Sequence, residues 1–247
     1  MDTYNFDKQN FINNLVIFFM NNISKCDLTP YFNISLSHNI SKDYKKYNSD
    51  IILKDNSDCD GITILPSKKN KKIQILISEE SCLSSVILHE LTHMYDFVSF
   101  SKQFCDDMLY RVKKHKHYQT LIYWSEFHVK QIDIPYVHLI VDKYLNVPDD
   151  RLMDNFKKQI KTFYYEEYTK KLLNKENVAI RDIMWYLGEI YVCNQYDENN
   201  TYLIPQNVIN IYGNKIVELY NLLTKTPNFE YFQKYVEDLY NYFLINF

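Results

Sequence analysis

The chain has 247 residues, a formal net charge of -3 and a pI near 6.2, so it lacks the global basic field that recruits nucleic acid. Tyr (23) and Phe (15) are abundant, Gly numbers 3 and Ala179 is the only alanine, so the core must be packed from large and branched side chains. The cysteines (Cys26, Cys59, Cys82, Cys105, Cys193) are odd in number with no C-x-x-C pair, and the apolar run Leu15 to Met20 is too short to span a bilayer. A reduced, cytoplasmic setting without membrane anchor or export signal is expected.

Residues 5 to 23 read as an amphipathic helix with Ile12, Leu15, Val16, Phe19 and Ile23 on one face. From Tyr31 the period changes. Short β-rich runs at Tyr31 to Ser37, Ile51 to Lys54, Gly61 to Leu65 and Lys72 to Ile77 are strand candidates for one small sheet, the last two joined as a hairpin through the lysine-rich turn Pro66 to Lys71.

The stretch from Ser78 to Phe100 then reads as a helix. Ser78 is its expected N-cap, and Glu79 and Glu80 would place negative charge in the first turn. Leu83, Ile87, Leu91, Met94 and Val98 form one apolar stripe. At about 100° per residue that stripe points roughly 140° away from the midpoint of His89 and His93. The two histidines stand at i and i+4, so both imidazoles can reach one metal ion, and Glu90 lies beside them. This is H-E-x-x-H, a pattern that supplies two zinc ligands and a carboxylate base for water. A surface helix can carry such a pair without a metal, but the start signals and the opposed stripe favour a built site. Asp96 falls on the same face, where it can orient a ligating imidazole.

Phe104, Met108, Leu109 and Val112 continue the helical pattern into the cluster Lys113, Lys114, His115, Lys116, His117, read as a solvated basic turn. A second helix over residues 118 to 134 should supply the third protein ligand that a catalytic zinc requires. Glu126 and His128 compete for this role. They point about 160° apart on a helix, so one ion does not receive both. His128 shares a face with Leu121, Trp124 and Ile132, as a core histidine would; Glu126 lies towards Gln119, Lys130 and Asp133, with Lys130 at i+4 as a possible ion-pair partner. Asp96 is a weaker third candidate.

Strands leading directly into an H-E-x-x-H helix resemble the zincin metallopeptidases, and more loosely the small ImmA/IrrE-type intracellular metallopeptidases of bacteria and mobile elements. The resemblance covers roughly residues 30 to 135 and implies a gluzincin-type site in which Glu126 joins His89 and His93 around Zn2+. It also departs from the thermolysin group, which has an aspartate four residues after the ligand glutamate; here that position is Lys130.

Beyond Pro148 four helices are expected, over 150 to 175, 178 to 194, 206 to 224 and 229 to 245, each with one apolar stripe. The expectation is therefore an α+β fold, with a zincin-like core over 1–147 and a helical part over 148–247. It would act as a zinc endopeptidase on a protein or peptide, with Glu90 as general base and Tyr95, His117, His128, Tyr186 or Tyr191 as candidate donors to an oxyanion. The alternative is a catalytically inactive zincin scaffold that binds a protein partner. Glu90→Gln would separate the two readings.

Overall fold

The computed structural model describes residues 7–47, 60–69, 71–81, 84–144, 156–175 and 177–247, with side chains omitted at 139–144. The fold is α+β, mostly helical with one small sheet. By contact the chain forms two compact units, Met1–His115 and Lys116–Phe247.

In the first unit, helix α1 (Lys8–Phe19) starts at an Asp7 cap, whose carboxylate accepts from the Asn10 amide, and buries Ile12, Leu15, Val16 and Phe19. A π-helical turn, Met20–Ser24, carries it to Lys25 in the left-handed region. Strands β1 (Phe32–Ser37), β2 (Gly61–Ile64) and β3 (Ile73–Ser78) form a sheet of order β1-β3-β2, parallel between β1 and β3 and antiparallel between β2 and β3. The three strands fall on the β-rich runs Tyr31 to Ser37, Gly61 to Leu65 and Lys72 to Ile77, with β3 extending to Ser78. The run Ile51 to Lys54 lies outside the described residues, as does Leu83 of the apolar stripe.

The central strand β3 is covered on both faces. Ile73, Ile75 and Ile77 are fully buried on one of them, each contributing about 1.5–3 kcal/mol by leaving water. On the other, Leu76 packs with Ile64, Ile40 and Tyr44. The last two belong to a helix absent from the sequence reading, α2 (Ile40–Tyr47), which the Asn39 side chain caps by accepting from the Lys42 amide at 2.8 Å. Its signal is short: one cap and one i, i+4 apolar pair.

Helix α3 (Ser84–Phe104) begins six residues later than the Ser78 cap expected for it. Ser78 is instead the last residue of β3, paired with Ser37, and its amide donates to the Asp60 carbonyl at 2.8 Å. Glu79 therefore lies outside the first helical turn, with its carboxylate 2.9 Å from His38 Nδ1. Strand pairing continues through Ser78 because each added rung satisfies backbone groups that a side-chain cap would satisfy only singly. The stripe itself is as expected, with Ile87, Leu91, Met94 and Val98 buried. A 3-10 turn, Leu109–Lys114, closes the unit.

The second unit is helical: α4 (Tyr118–Tyr144), a π-helical stretch Ile160–Glu167, α5 (Tyr168–Asn174), α6 (Ile180–Tyr196), α7 (Gln206–Tyr212), α8 (Lys215–Leu223) and α9 (Phe229–Asn246). Helix α4 continues past residue 134 and through Pro135, one bond short, with Ile134 and Pro135 buried. It packs against α6, which places it with the helical half, whereas the sequence grouped it with the core. That contact is close because of Gly188: a Cβ there would stand 2.8 Å from the Phe127 carbonyl oxygen and 2.8 Å from Lys130 Cβ. The helix expected over 206 to 224 is broken in two at Gly213, whose φ of 75° is left-handed.

The turn read as solvated is only partly so. His117 is buried, its Nε2 3.1 Å from Glu237 Oε1, and Lys116 Nζ lies 2.6 Å from the same oxygen. Burial pushes the His117 imidazole below its ordinary pKa against the pull of Glu237. Among the described residues no helix is long and apolar enough to cross a membrane, and Cys26, Cys105 and Cys193 are free thiols.

Candidate metal centre

Helix α3 presents His89 and His93 one turn apart, both half-buried, with the two Nε2 atoms 3.0 Å from each other and the rings edge to face. The His93 ring is stacked on Phe97 at 6.2 Å. This is the convergence that an i, i+4 pair on a rigid helix provides. Two nitrogens held on a tetrahedral zinc at its usual bond lengths stand about 3.3 Å apart, so the pair needs only a small adjustment to accept a cation.

Glu90, between them in sequence, turns towards the sheet. It is buried, and the Thr63 hydroxyl lies 2.7 Å from its Oε2 and 3.0 Å from its backbone oxygen. Thr63 and Gly61 stand on the β2 face that meets α3. A Cβ on Gly61 would come within 2.9 Å of Glu90 Cγ and 2.8 Å of Val86 Cγ1, so glycine is what lets the strand approach the glutamate. Gly61→Ala is accordingly expected to displace Glu90 and to lower stability by about 1–3 kcal/mol, measurable by denaturant titration.

His89, His93 and Glu126 make up a group that could hold a metal ion, each offering one ligand atom, all within 4.8 Å of one another. Two imidazoles and one carboxylate form a donor set of catalytic zinc sites, which leaves the fourth position open. Comparison with protein-family models, curated proteins and solved structures gives no match. The chemistry of the group is therefore read from its own residues.

The rival third ligand, His128, is outside that group. It is buried and stacked on Trp124 with ring centroids 4.7 Å apart, and Trp124 Nε1 donates to the Thr226 carbonyl at 2.9 Å. Asp96 is fully buried within α3, and Tyr95 is half-buried with its hydroxyl pKa raised by burial. Tyr186 is buried with its hydroxyl 3.4 Å from Thr169 Oγ1, and Tyr191 packs edge-on to Phe127.

Around Glu126 the sequence missed a layer of partners. Its Oε2 accepts a 2.6 Å hydrogen bond from the indole Nε1 of Trp185 on α6. Lys130, the alternative ion-pair partner for Glu126, lies 3.6 Å from Asp133 Oδ2 and 3.8 Å from Glu189 Oε1. Burial works against the Lys130 ammonium, yet the two carboxylates outweigh it and hold its pKa above the ordinary lysine value. Burial pushes the Glu189 carboxyl well above its ordinary range, opposed by Lys130 and reinforced by Asp133. Burial outweighs the nearby ammonium groups of Lys130 and Lys171, so the charged form of this carboxyl is disfavoured. A lone charged pair in α4 gives no hint of this in sequence, because Glu189 is 59 positions further on.

Proposed function

We propose that the chain is a zinc-dependent peptidase of zincin type. The observation that carries the reading is the group of His89, His93 and Glu126, whose ligand atoms lie within 4.8 Å of one another, next in sequence to a buried glutamate of the H-E-x-x-H pattern. His89, His93 and Glu126 would hold the metal. Zinc bound there would acidify a water molecule and polarise the carbonyl of a substrate.

The remaining steps belong to side chains. Glu90 takes a proton from the attacking water and returns it to the leaving nitrogen, so one carboxylate serves as base and then as acid. The Thr63 hydroxyl and the absence of a side chain on Gly61 fix where that carboxylate sits. Strand β2 stands at the end of the strand order β1-β3-β2 and carries Gly61 and Thr63 against Glu90.

The test is elemental analysis of protein purified without added metal, for the wild type, Glu126→Ala and His128→Ala, followed by peptide-cleavage assays. About one zinc per chain is expected in the wild type and in His128→Ala, with at least a tenfold loss of affinity in Glu126→Ala. No zinc in the wild type, even when zinc is supplied, would sink the peptidase reading in favour of a partner-binding scaffold.

A further inference from the structure

Glu126 is a nearly buried carboxylate on a helix, and one of its oxygens, Oε2, already has the Trp185 indole as a donor at 2.6 Å. The indole N–H is a donor only, so it cannot turn to offer the carboxylate anything else. Its ring is fixed from several sides. Gly188, three residues along α6, brings that helix against α4 close enough for a Cβ to be excluded. The Lys130 ammonium sits 4.8 Å from the Trp185 ring centroid, and the Arg181 guanidinium 5.1 Å. Lys130 is in turn anchored by Asp133 and Glu189. A cation over the ring face draws electron density from the indole and strengthens its N–H as a donor.

We infer that Trp185 is the positioning residue for Glu126: it occupies Oε2, turns Oε1 towards the cation, and so makes Glu126 a one-oxygen ligand. The inference rests on the metal-binding reading above and goes beyond it by assigning how its carboxylate is aimed. Donors to ligating carboxylates commonly tune affinity by about 10- to 100-fold. Buried Lys130, Asp133 and Glu189 acquire a role in the same arrangement, since they hold the cation that holds the ring.

The experiment uses the full chain and two probes, zinc alone by competition with a chromophoric chelator and cobalt(II) alone by visible absorption. Trp185→Phe is expected to bind zinc about 10- to 100-fold more weakly than the wild type and to shift the cobalt bands, because the carboxylate is free to bind through both oxygens. Trp124→Phe removes the other tryptophan, which stacks in the core, and is expected to lower Tm while leaving zinc affinity and the cobalt bands as in the wild type. Wild-type affinity and spectrum in a folded Trp185→Phe would overturn the inference and leave the zinc reading standing. No zinc binding by the wild type would overturn both. Should Trp185→Phe fail to fold, wild-type protein with 15N-labelled tryptophan gives two indole signals, assigned by Trp124→Phe. The Trp185 signal is expected to move on zinc addition, and a stationary one overturns the inference.

Discussion

Glu90→Gln is expected to retain one zinc per chain and to lower kcat on any cleaved peptide by about 10²- to 10⁴-fold, the range for removal of a general base. The amide is isosteric with the carboxylate, so the crowded space beside Gly61 and Val86 stays filled, and its oxygen can still accept from Thr63 at the distance now seen for Oε2. What the amide cannot do is take a proton from water. Metal content should be unchanged because none of the three candidate ligand atoms is altered. The decisive comparison is kcat against zinc stoichiometry on the same preparations. A variant that cuts as fast as the wild type would remove Glu90 from the chemistry, and one that loses zinc would give Glu90 a structural part instead.

Lys130→Met should be the most destabilising single change among the charged residues of the second unit. It removes the ammonium that lies 3.6 Å from Asp133 Oδ2 and 3.8 Å from Glu189 Oε1, at a cost of about 3–5 kcal/mol for breaking a buried ion pair. Urea denaturation of Lys130→Met and of Lys130→Met with Asp133→Asn checks this. The double variant should recover most of the loss, because both members of the charged pair are gone. If the single variant is within about 0.5 kcal/mol of wild type, the buried cluster carries no charge worth compensating.

The same cluster sets a pH dependence. In the unfolded chain Glu189 gives up its proton near its ordinary pKa of 4.5, whereas burial in the native state keeps it protonated to higher pH. Between those two values the native state binds more protons, so this contribution is complete below the ordinary pKa and is lost as pH rises through the native one. Glu189→Gln mimics the protonated form and should flatten the decline in stability measured upward from about pH 5. A profile identical to the wild type would show that Glu189 is already ionised in the folded protein.

Much of this arrangement was readable from short-range pattern. A pair of histidines at i and i+4 must share a helix face, and a stripe such as Ile87, Leu91, Met94 and Val98 must face a core, because a helix turns through the same angle wherever it stands. The β-rich run Lys72 to Ile77 placed β3 from local composition in the same way, since branched side chains suit a strand that is covered on both faces. Glu126 and His128 could be separated only as pointing in opposite directions. Which one joins a metal group depends on partners distant in sequence: the stacking of His128 on Trp124 in the core, and Trp185 donating to Glu126 across 59 positions. The start of α3 was misplaced because Ser78 has a cap-forming side chain but also a rung to complete with Ser37, and strand pairing is a long-range contact that local propensity does not see. The break at Gly213 and the helix at Ile40 to Tyr47 lay between these extremes, each marked by one or two residues too weak to outweigh the surrounding pattern. Elements thus followed from angles internal to a few residues. The partners of Lys130 depend on Gly188, which lets α6 close on α4 and brings Glu189 to 3.8 Å from its ammonium, a contact that no local pattern in α4 encodes.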